Sequence, residues 1–367
     1  MNILWIPHVT WSSPQRARLF CEKLSDRHRV HVTDIYGFRC LSDYLSKKYL
    51  KNYFYWKYMD HEITVHHIPR ISPVLPFRGL RRVNSDIFSR YVDRIIRAER
   101  IDVVVGTFVC KPPRAKRLVF DLFDDNPAYW REYGRIKNYA DEIETIEREY
   151  LDKADEIVAA SSVLAEKVQQ KKVHLIPNGV DLEKFKNADG EKVRDALDLR
   201  GVVVGFVSAF GEFSGLMRLV KSSELIREDL TFLIVGSGPL LNGAKNYVKR
   251  KNIENFVFTG HVDFNAVHDY FKAIDIGVLP FDKIRFTDSA CPIKLLEYTA
   301  AGKPVVSTNL EEVKRMNFSN VVLVKDDAVA LAEGIKRALN SKLKIPKKIK
   351  EYDIKRLANK YEAVLKY

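Results

Sequence analysis

Pro292-Ile293-Lys294-Leu295-Leu296-Glu297-Tyr298-Thr299-Ala300-Ala301-Gly302-Lys303-Pro304-Val305-Val306 holds a helix, its stop and a strand in one run. Proline suits a first helical turn, where a backbone N–H would have no partner, and glycine closes a helix because it enters the left-handed region at little cost. Residues 304–307 then read as a buried strand. Just upstream, residues 276–280 form another short apolar run ending in a long loop, 281–291. Strand, loop, helix, strand is the repeating step of a doubly wound α/β sheet, whose parallel strands are buried on both faces.

The same step recurs on either side. Apolar runs at 202–207, 231–235, 256–259 and 321–324 complete a second half that starts near Gly201. In the first half, strands are expected at 2–6, 28–33, 101–106, 118–121, 156–160 and 174–176. Helices are expected after Ser12-Ser13-Pro14, over about 85–100, over 140–153 and after Ser161-Ser162, where serine supplies an N-cap. A chain of 367 residues is long enough for two domains. The predicted division is 1–180, 181–350 and a closing helix in 351–367 that crosses back to the first domain, burying Tyr361, Val364 and Leu365. Ligands of such sheets bind beyond the carboxyl ends of the strands, here in a cleft between the halves.

Composition narrows the class. Hydrophobic residues make up 46% and charged residues 30%, which excludes a wholly disordered chain. Four cysteines (Cys21, Cys40, Cys110, Cys291) form no CxxC pair. This argues against a disulfide scaffold or a cysteine zinc cluster and for a reducing compartment. No apolar run reaches the roughly 18–20 residues of a membrane span, and MNILWIPHV lacks the basic leader and cleavage site of a signal peptide. The net charge is +13, and residues 1–117 hold 22 Lys and Arg against 10 Asp and Glu. An excess so concentrated calls for an anionic partner; the plain alternative is a surface simply rich in Lys and Arg. Residues 44–59 interleave Lys47, Lys48, Lys51 and Lys57 with tyrosines, Phe54 and Trp56. As a helix, this stretch places Leu45, Tyr49 and Trp56 on one side. Such a face suits the domain core, a membrane interface or stacked single-stranded bases. No zinc finger, helix-turn-helix or RNP-like motif accompanies it.

Five further pieces fall in order over residues 154–310. Residues 154–161 (ADEIVAAS) precede Ile176-Pro177-Asn178-Gly179-Val180-Asp181 and Phe185; then come Val235-Gly236-Ser237-Gly238-Pro239, Phe258-Thr259-Gly260-His261-Val262, Leu279-Pro280-Phe281 and the 292–306 block. In this order they resemble the donor domain of GT-B glycosyltransferases, most closely the retaining family numbered four. The first half is similar only in its α/β pattern. The resemblance implies two Rossmann-like domains facing across a cleft and transfer of a sugar from a UDP- or GDP-sugar. The acceptor would be a lipid-linked or glycan molecule. The setting would be cytoplasmic, with the anionic inner face of the membrane met through residues 44–59 and 78–117. No metal, no cofactor beyond the donor and no nucleic acid are implied. Glu297 would accept the ribose hydroxyls. The helix N-terminus at Pro292 and Ile293, with Lys294 in its first turn, would hold phosphate. Gly236 and Gly238 would allow close backbone approach, Ser208 and Gly211 would join the donor site, and His261 and Val262 would meet the base.

The chain also departs from that pattern. Where the family often has two glutamates eight positions apart, this chain has Ser289 and Glu297, with Asp288 adjacent. The family's basic pair after the first donor-domain strand is missing, since no Lys or Arg occurs between Gly205 and Arg218. Phosphate neutralisation then falls to Lys294, the helix dipole and Arg285. The first N-terminal loop reads His8-Val9-Thr10-Trp11-Ser12-Ser13-Pro14-Gln15-Arg16 in place of a glycine pair, and Arg16 is expected to face the donor phosphates. The loop Asp121-Leu122-Phe123-Asp124-Asp125-Asn126 would orient an acceptor hydroxyl or serve as general base. Alternatively it caps a helix and pairs with Arg131 or Arg135. A retaining enzyme needs no strong base; an inverting one would use Asp124 or Asp125. A nucleic-acid-directed protein, or a donor-binding relic made inactive by Ser289, remains as the rival.

Overall fold

The structure is a computed structural model that describes residues 1–8, 10–11, 16–34, 54–69, 78–134, 136, 138–168 and 172–366. The chain divides into two compact units, Met1–Pro177 with Lys355–Tyr367, and Asn178–Ile354. No helix among the described residues is long and apolar enough to cross a membrane.

Among the described residues the first unit has eight strands: β1 (Asn2–Trp5), β2 (Arg29–Asp34), β3 (Trp56–Asp60), β4 (Ile63–His67), β5 (Val103–Gly106), β6 (Leu118–Leu122), β7 (Glu156–Ala159) and β8 (Val173–Leu175). They run in the order β3-β4-β2-β1-β5-β6-β7-β8. All neighbours are parallel except β3 and β4. Its helices are α1 (Arg16–Ser25), α2 (Arg78–Ala98), α3 (Asn126–Tyr133), α4 (Tyr139–Lys153) and α5 (Ser162–Lys167). The capping chemistry is local. The Ser161 hydroxyl accepts from the Leu164 N–H at 3.0 Å. Asp125 accepts from the Ala128 N–H at 3.3 Å, and Pro127 stands in the first turn of α3.

The aromatic-basic stretch requires a correction. Residues 44–53 lie outside the described residues, but 56–60 form a strand rather than the tail of a helix. Trp56 and Tyr58 are half-buried while Lys57 and Met59 are exposed, a period of two that only a strand satisfies. A turn at His61, with φ of 54°, returns the chain into β4, and this hairpin extends the sheet beyond β2.

The second unit carries β9 (Val202–Val207), β10 (Leu230–Val235), β11 (Phe256–Gly260), β12 (Ile276–Leu279), β13 (Val305–Thr308) and β14 (Val321–Val324). All are parallel, in the order β11-β10-β9-β12-β13-β14. The helices are α6 (Leu182–Lys186), α7 (Gly190–Ala196), α8 (Leu216–Ser223), α9 (Leu241–Arg250), α10 (Val267–Ala273), α11 (Arg285–Ser289), α12 (Ile293–Ala300), α13 (Glu311–Met316) and α14 (Ala328–Leu339). Strand order reverses between β9 and β12, the switch point where doubly wound folds place ligands.

The closing helix, α15 (Ile354–Lys366), belongs almost entirely to the first unit. Tyr361 is fully buried, its ring 5.0 Å from Trp5 and 4.9 Å from Phe20. Val364 and Leu365 are buried with it. Arg27 and His28 pair with Glu362 at 2.7 and 2.9 Å, and Arg117 donates to the Val364 carbonyl at 3.1 Å.

Candidate functional site

At the switch point β9 and β12 pair only at Ile276 with Val204 and Gly277 with Gly205, whereas β9 follows β10 as far as Val207. Tyr298 fills the gap. Its hydroxyl accepts from the Val207 N–H at 2.9 Å and donates to the Gly205 carbonyl at 3.0 Å. One buried phenol thus replaces ladder bonds that the diverging strands cannot make, and it fixes α12 at the carboxyl edge of β9. Asn178 fixes the approach to α12 by donating to the Cys291 carbonyl at 2.7 Å.

Glu297 stands beside Tyr298 on α12 and is buried, at 6% exposure. Lys294, one turn earlier, lies 2.8 Å from its Oε2. This is an ion pair by distance, and Oε2 has no hydrogen-bond partner among the described residues. The Lys294 ammonium also stands 5.3 Å over the Phe271 ring. Pro292 occupies the N-cap of α12 and makes no side-chain capping bond. The positive end of the helix dipole therefore shares the first turn of α12 with a half-buried ammonium.

The glycine turn after β10 has a packing reason. Gly236 has φ of +128°, and a Cβ there would lie 2.0 Å from the Ser208 carbonyl oxygen. A Cβ at Gly238 would lie 2.6 Å from that of Phe210. Two loops therefore lie directly against each other, with the Phe210 N–H donating to the Ser237 carbonyl at 3.1 Å. Ser208, half-buried, and Gly211, which opens the short turn Glu212–Ser214, line this edge. Arg218, the nearest basic residue after that loop, pairs with Asp282 at 2.7 Å and with Asp326, holding loops together.

The other members of the block divide. The Ser289 hydroxyl donates back to the Phe286 carbonyl at 3.0 Å. Asp288 accepts from Lys283 at 2.7 Å and from the Glu311 N–H at 2.9 Å, tying the loop to α13. Arg285 is exposed at the start of α11, His261 is exposed just beyond β11, and Val262 is half-buried against the core.

In the first unit, Arg16 departs from expectation. Its guanidinium is buried and forked onto Asp121, with bonds of 2.9 to 3.1 Å, and it donates to the Pro177 carbonyl at 3.0 Å. A group so held is a strut between α1 and β6 rather than a hand extended to phosphate. The expected serine cap of α1, residues 12–13, lies outside the described residues, as does Arg135. Arg131 pairs with Asp141 and Glu144 rather than with the acidic loop. Asp125, buried, caps α3 and pairs with Lys167 at 3.2 Å. Asp124 keeps part of its surface exposed. Burial, with Asp125 and Asp121 nearby, pushes its carboxyl up to about 7 against the opposing pull of Arg16. His8, beyond β1, stacks 3.9 Å from Phe123, the residue before Asp124, and burial lowers its imidazole to about 3. No sequence signal marked that stack, because β1 and β6 are over a hundred residues apart.

Residues 201–341 match the family model described as Glycosyl transferases group 1, and residues 15–184 match that of Glycosyltransferase Family 4. This chain belongs to the GT-B group 1 glycosyltransferases. TuaH of Bacillus subtilis strain 168, a glycosyltransferase assigned by name to teichuronic acid biosynthesis, is 33% identical over 181 residues, 47% of this chain and 45% of that one. The UDP-Gal:alpha-D-GlcNAc-diphosphoundecaprenol alpha-1,3-galactosyltransferase of Escherichia coli is 26% identical over 190 residues, 48% of this chain and 47% of that one. The chain spans about half the length of the curated relatives it matches. Among solved structures, the sucrose-phosphate synthase of Thermosynechococcus elongatus, 16% identical, superposes with a TM-score of 0.79 over 100% of this chain and 98% of that one. That likeness concerns the GT-B fold alone.

Proposed function

We propose that this glycosyltransferase moves a sugar from a UDP- or GDP-sugar to a lipid-linked or glycan acceptor. The observation that carries this reading is Glu297, a buried carboxylate with one oxygen lacking a hydrogen bond, next to Lys294 and the uncapped start of α12. A carboxylate there accepts ribose hydroxyls. The ammonium, the helix N-terminus and Arg285 neutralise the diphosphate. Gly236 and Gly238 keep the neighbouring loop low, and His261 and Val262 meet the base. The galactosyltransferase relative, named for UDP-Gal and a diphosphoundecaprenol acceptor, supports this choice of substrates.

In the reaction the bond from the anomeric carbon to the phosphate oxygen breaks and a bond to the acceptor oxygen forms. With retention, the acceptor proton passes to the departing phosphate and the enzyme supplies no base. Inversion needs a base, and there Asp124 is favoured over Asp125. Asp124 ionises near neutral pH, where a general base works best, whereas Asp125 is committed to its cap and to Lys167. Action at the anionic inner face of the membrane is supported by the basic first third and the absence, among the described residues, of a spanning helix.

The test is calorimetric titration with UDP, GDP, ADP, CMP and their sugars, repeated on Glu297→Ala. The expected outcome is selective binding of one nucleotide that weakens at least tenfold in the variant. No binding by any nucleotide would defeat the reading.

A further inference from the structure

Away from both edges described above, three side chains of the first unit converge. His31 of β2 registers with Thr64 of β4, and Thr33 registers with His66, so the two histidines are diagonal neighbours on one face of the sheet. Lys57 of β3 lies opposite His66. Glu99 follows the end of α2 directly. Its N–H donates to the Ile95 carbonyl at 2.9 Å, and its own carbonyl accepts from the Asn2 side chain at 2.9 Å. One ligating atom from each of His31, His66 and Glu99 falls within 4.8 Å of the others.

We propose that His31, His66 and Glu99 bind one divalent transition-metal ion, Zn²⁺ by preference, as a clip tying β2 and β4 to the end of α2. His31 Nδ1 and His66 Nε2 are 3.0 Å apart. Two imidazole nitrogens on a tetrahedral Zn²⁺ sit about 3.3 Å apart, so an ion fits with a few tenths of an ångström of opening. Both rings are buried. The second nitrogen of His66 is already oriented, because Nδ1 lies 2.8 Å from the Tyr55 hydroxyl. A ligating histidine needs such an outer partner to fix its tautomer. The carboxylate is the third ligand, and Lys57, 2.9 Å from its Oε1, holds it in place. Two histidines and a carboxylate leave a fourth position for water. The three residues lie 35 and 33 positions apart in sequence, so no ligand-spacing motif announces them.

The inference is independent of the transferase reading and is tested on the full chain. After stripping with a chelator, the protein is titrated with Zn²⁺ against a chromophoric chelator, and with Co²⁺ by visible absorption. One equivalent per chain is expected, with a tetrahedral Co²⁺ spectrum free of any sulfur charge-transfer band. Affinity should fall at least tenfold in Glu99→Gln and by about 10- to 100-fold in Tyr55→Phe. Glu99 is partly exposed and Tyr55 keeps its ring, so both variants should fold, as a thermal melt verifies. Zn²⁺ should also raise the melting temperature of the wild type but not of Glu99→Gln. No bound equivalent in folded wild type, a thiolate band from any of the four cysteines, or undiminished affinity in both variants would leave only a hydrogen-bonded histidine pair and overturn the proposal.

Discussion

The Asp124 carboxyl is pushed up to about 7 from its ordinary 3.8 by burial and by two neighbouring aspartates. Between those values the native chain holds a proton that the unfolded chain has released. Stability therefore falls as pH rises from about 4 toward 7 and levels off above it. Asp124→Asn removes this dependence, so the variant should gain on the wild type between pH 5 and pH 8 when urea midpoints are compared. A wild-type minus variant difference that does not change with pH would show that Asp124 ionises normally. The neighbouring charges have other work. Asp121 is held by Arg16, and Asp125 by Lys167 and a helix start. Three neighbouring aspartates at the end of β6 thus occupy three electrostatic environments. The order Asp-Leu-Phe-Asp-Asp carries the carboxylates but not their partners. Arg16 stands 105 positions from Asp121 and Lys167 stands 42 from Asp125. For that reason the site-facing role expected of Arg16 gave way to a buried pair.

Tyr298 ties α12 to β9 through two hydrogen bonds of its hydroxyl. Tyr298→Phe keeps the ring and removes both bonds to β9, leaving the Val207 N–H and the Gly205 carbonyl without that partner. The expected cost is about 1–3 kcal/mol, read as a lower urea midpoint together with weaker nucleotide binding. Unchanged binding would mean that α12 is held by its apolar contacts alone. How far such elements can be read in advance depends on how many physical signals agree. Val202–Val207 and Val321–Val324 were legible to the residue, because β-branched runs bounded by turn residues admit one reading. The helix 293–300 was legible from its proline and glycine ends. The hairpin β3–β4 was missed because aromatics spaced through lysines satisfy a helical face as readily as a strand, and only pairing with β2 decides between them. Glu297 was legible through its block, whereas its proximity to Lys294 followed from their spacing of three on a helix. The turn of Asp288 toward α13 was not legible, since it depends on where Glu311 returns in space.

Charge belongs to the scale of the whole molecule, where single pairs matter less than their sum. Residues 1–117 carry 22 cationic against 10 anionic side chains, while the whole chain carries +13. On α2, Arg82, Arg90, Arg94 and Arg97 are all exposed, with Asp86 the exposed acid among them, and Lys111, Arg114 and Lys116 follow. Each Lys or Arg brought to an anionic bilayer contributes about 1 kcal/mol, and the attraction decays within a Debye length. A handful of such residues gives reversible attachment that salt dissolves: the Debye length falls from about 10 Å at 0.1 M to about 3 Å at 1 M. The purified chain should therefore float with vesicles rich in anionic lipid at low salt, remain unbound to neutral vesicles, and be released at 1 M salt. Reversing Arg90, Arg94 and Arg97 to glutamate should abolish flotation while nucleotide binding at the second unit is preserved, since none of these residues belongs to it. Equal retention of single-stranded DNA by the wild type would mark the patch as a general polyanion surface. Flotation that survives both salt and charge reversal would transfer the attachment to the aromatics of residues 44–59, and the electrostatic account of the basic first third would fail.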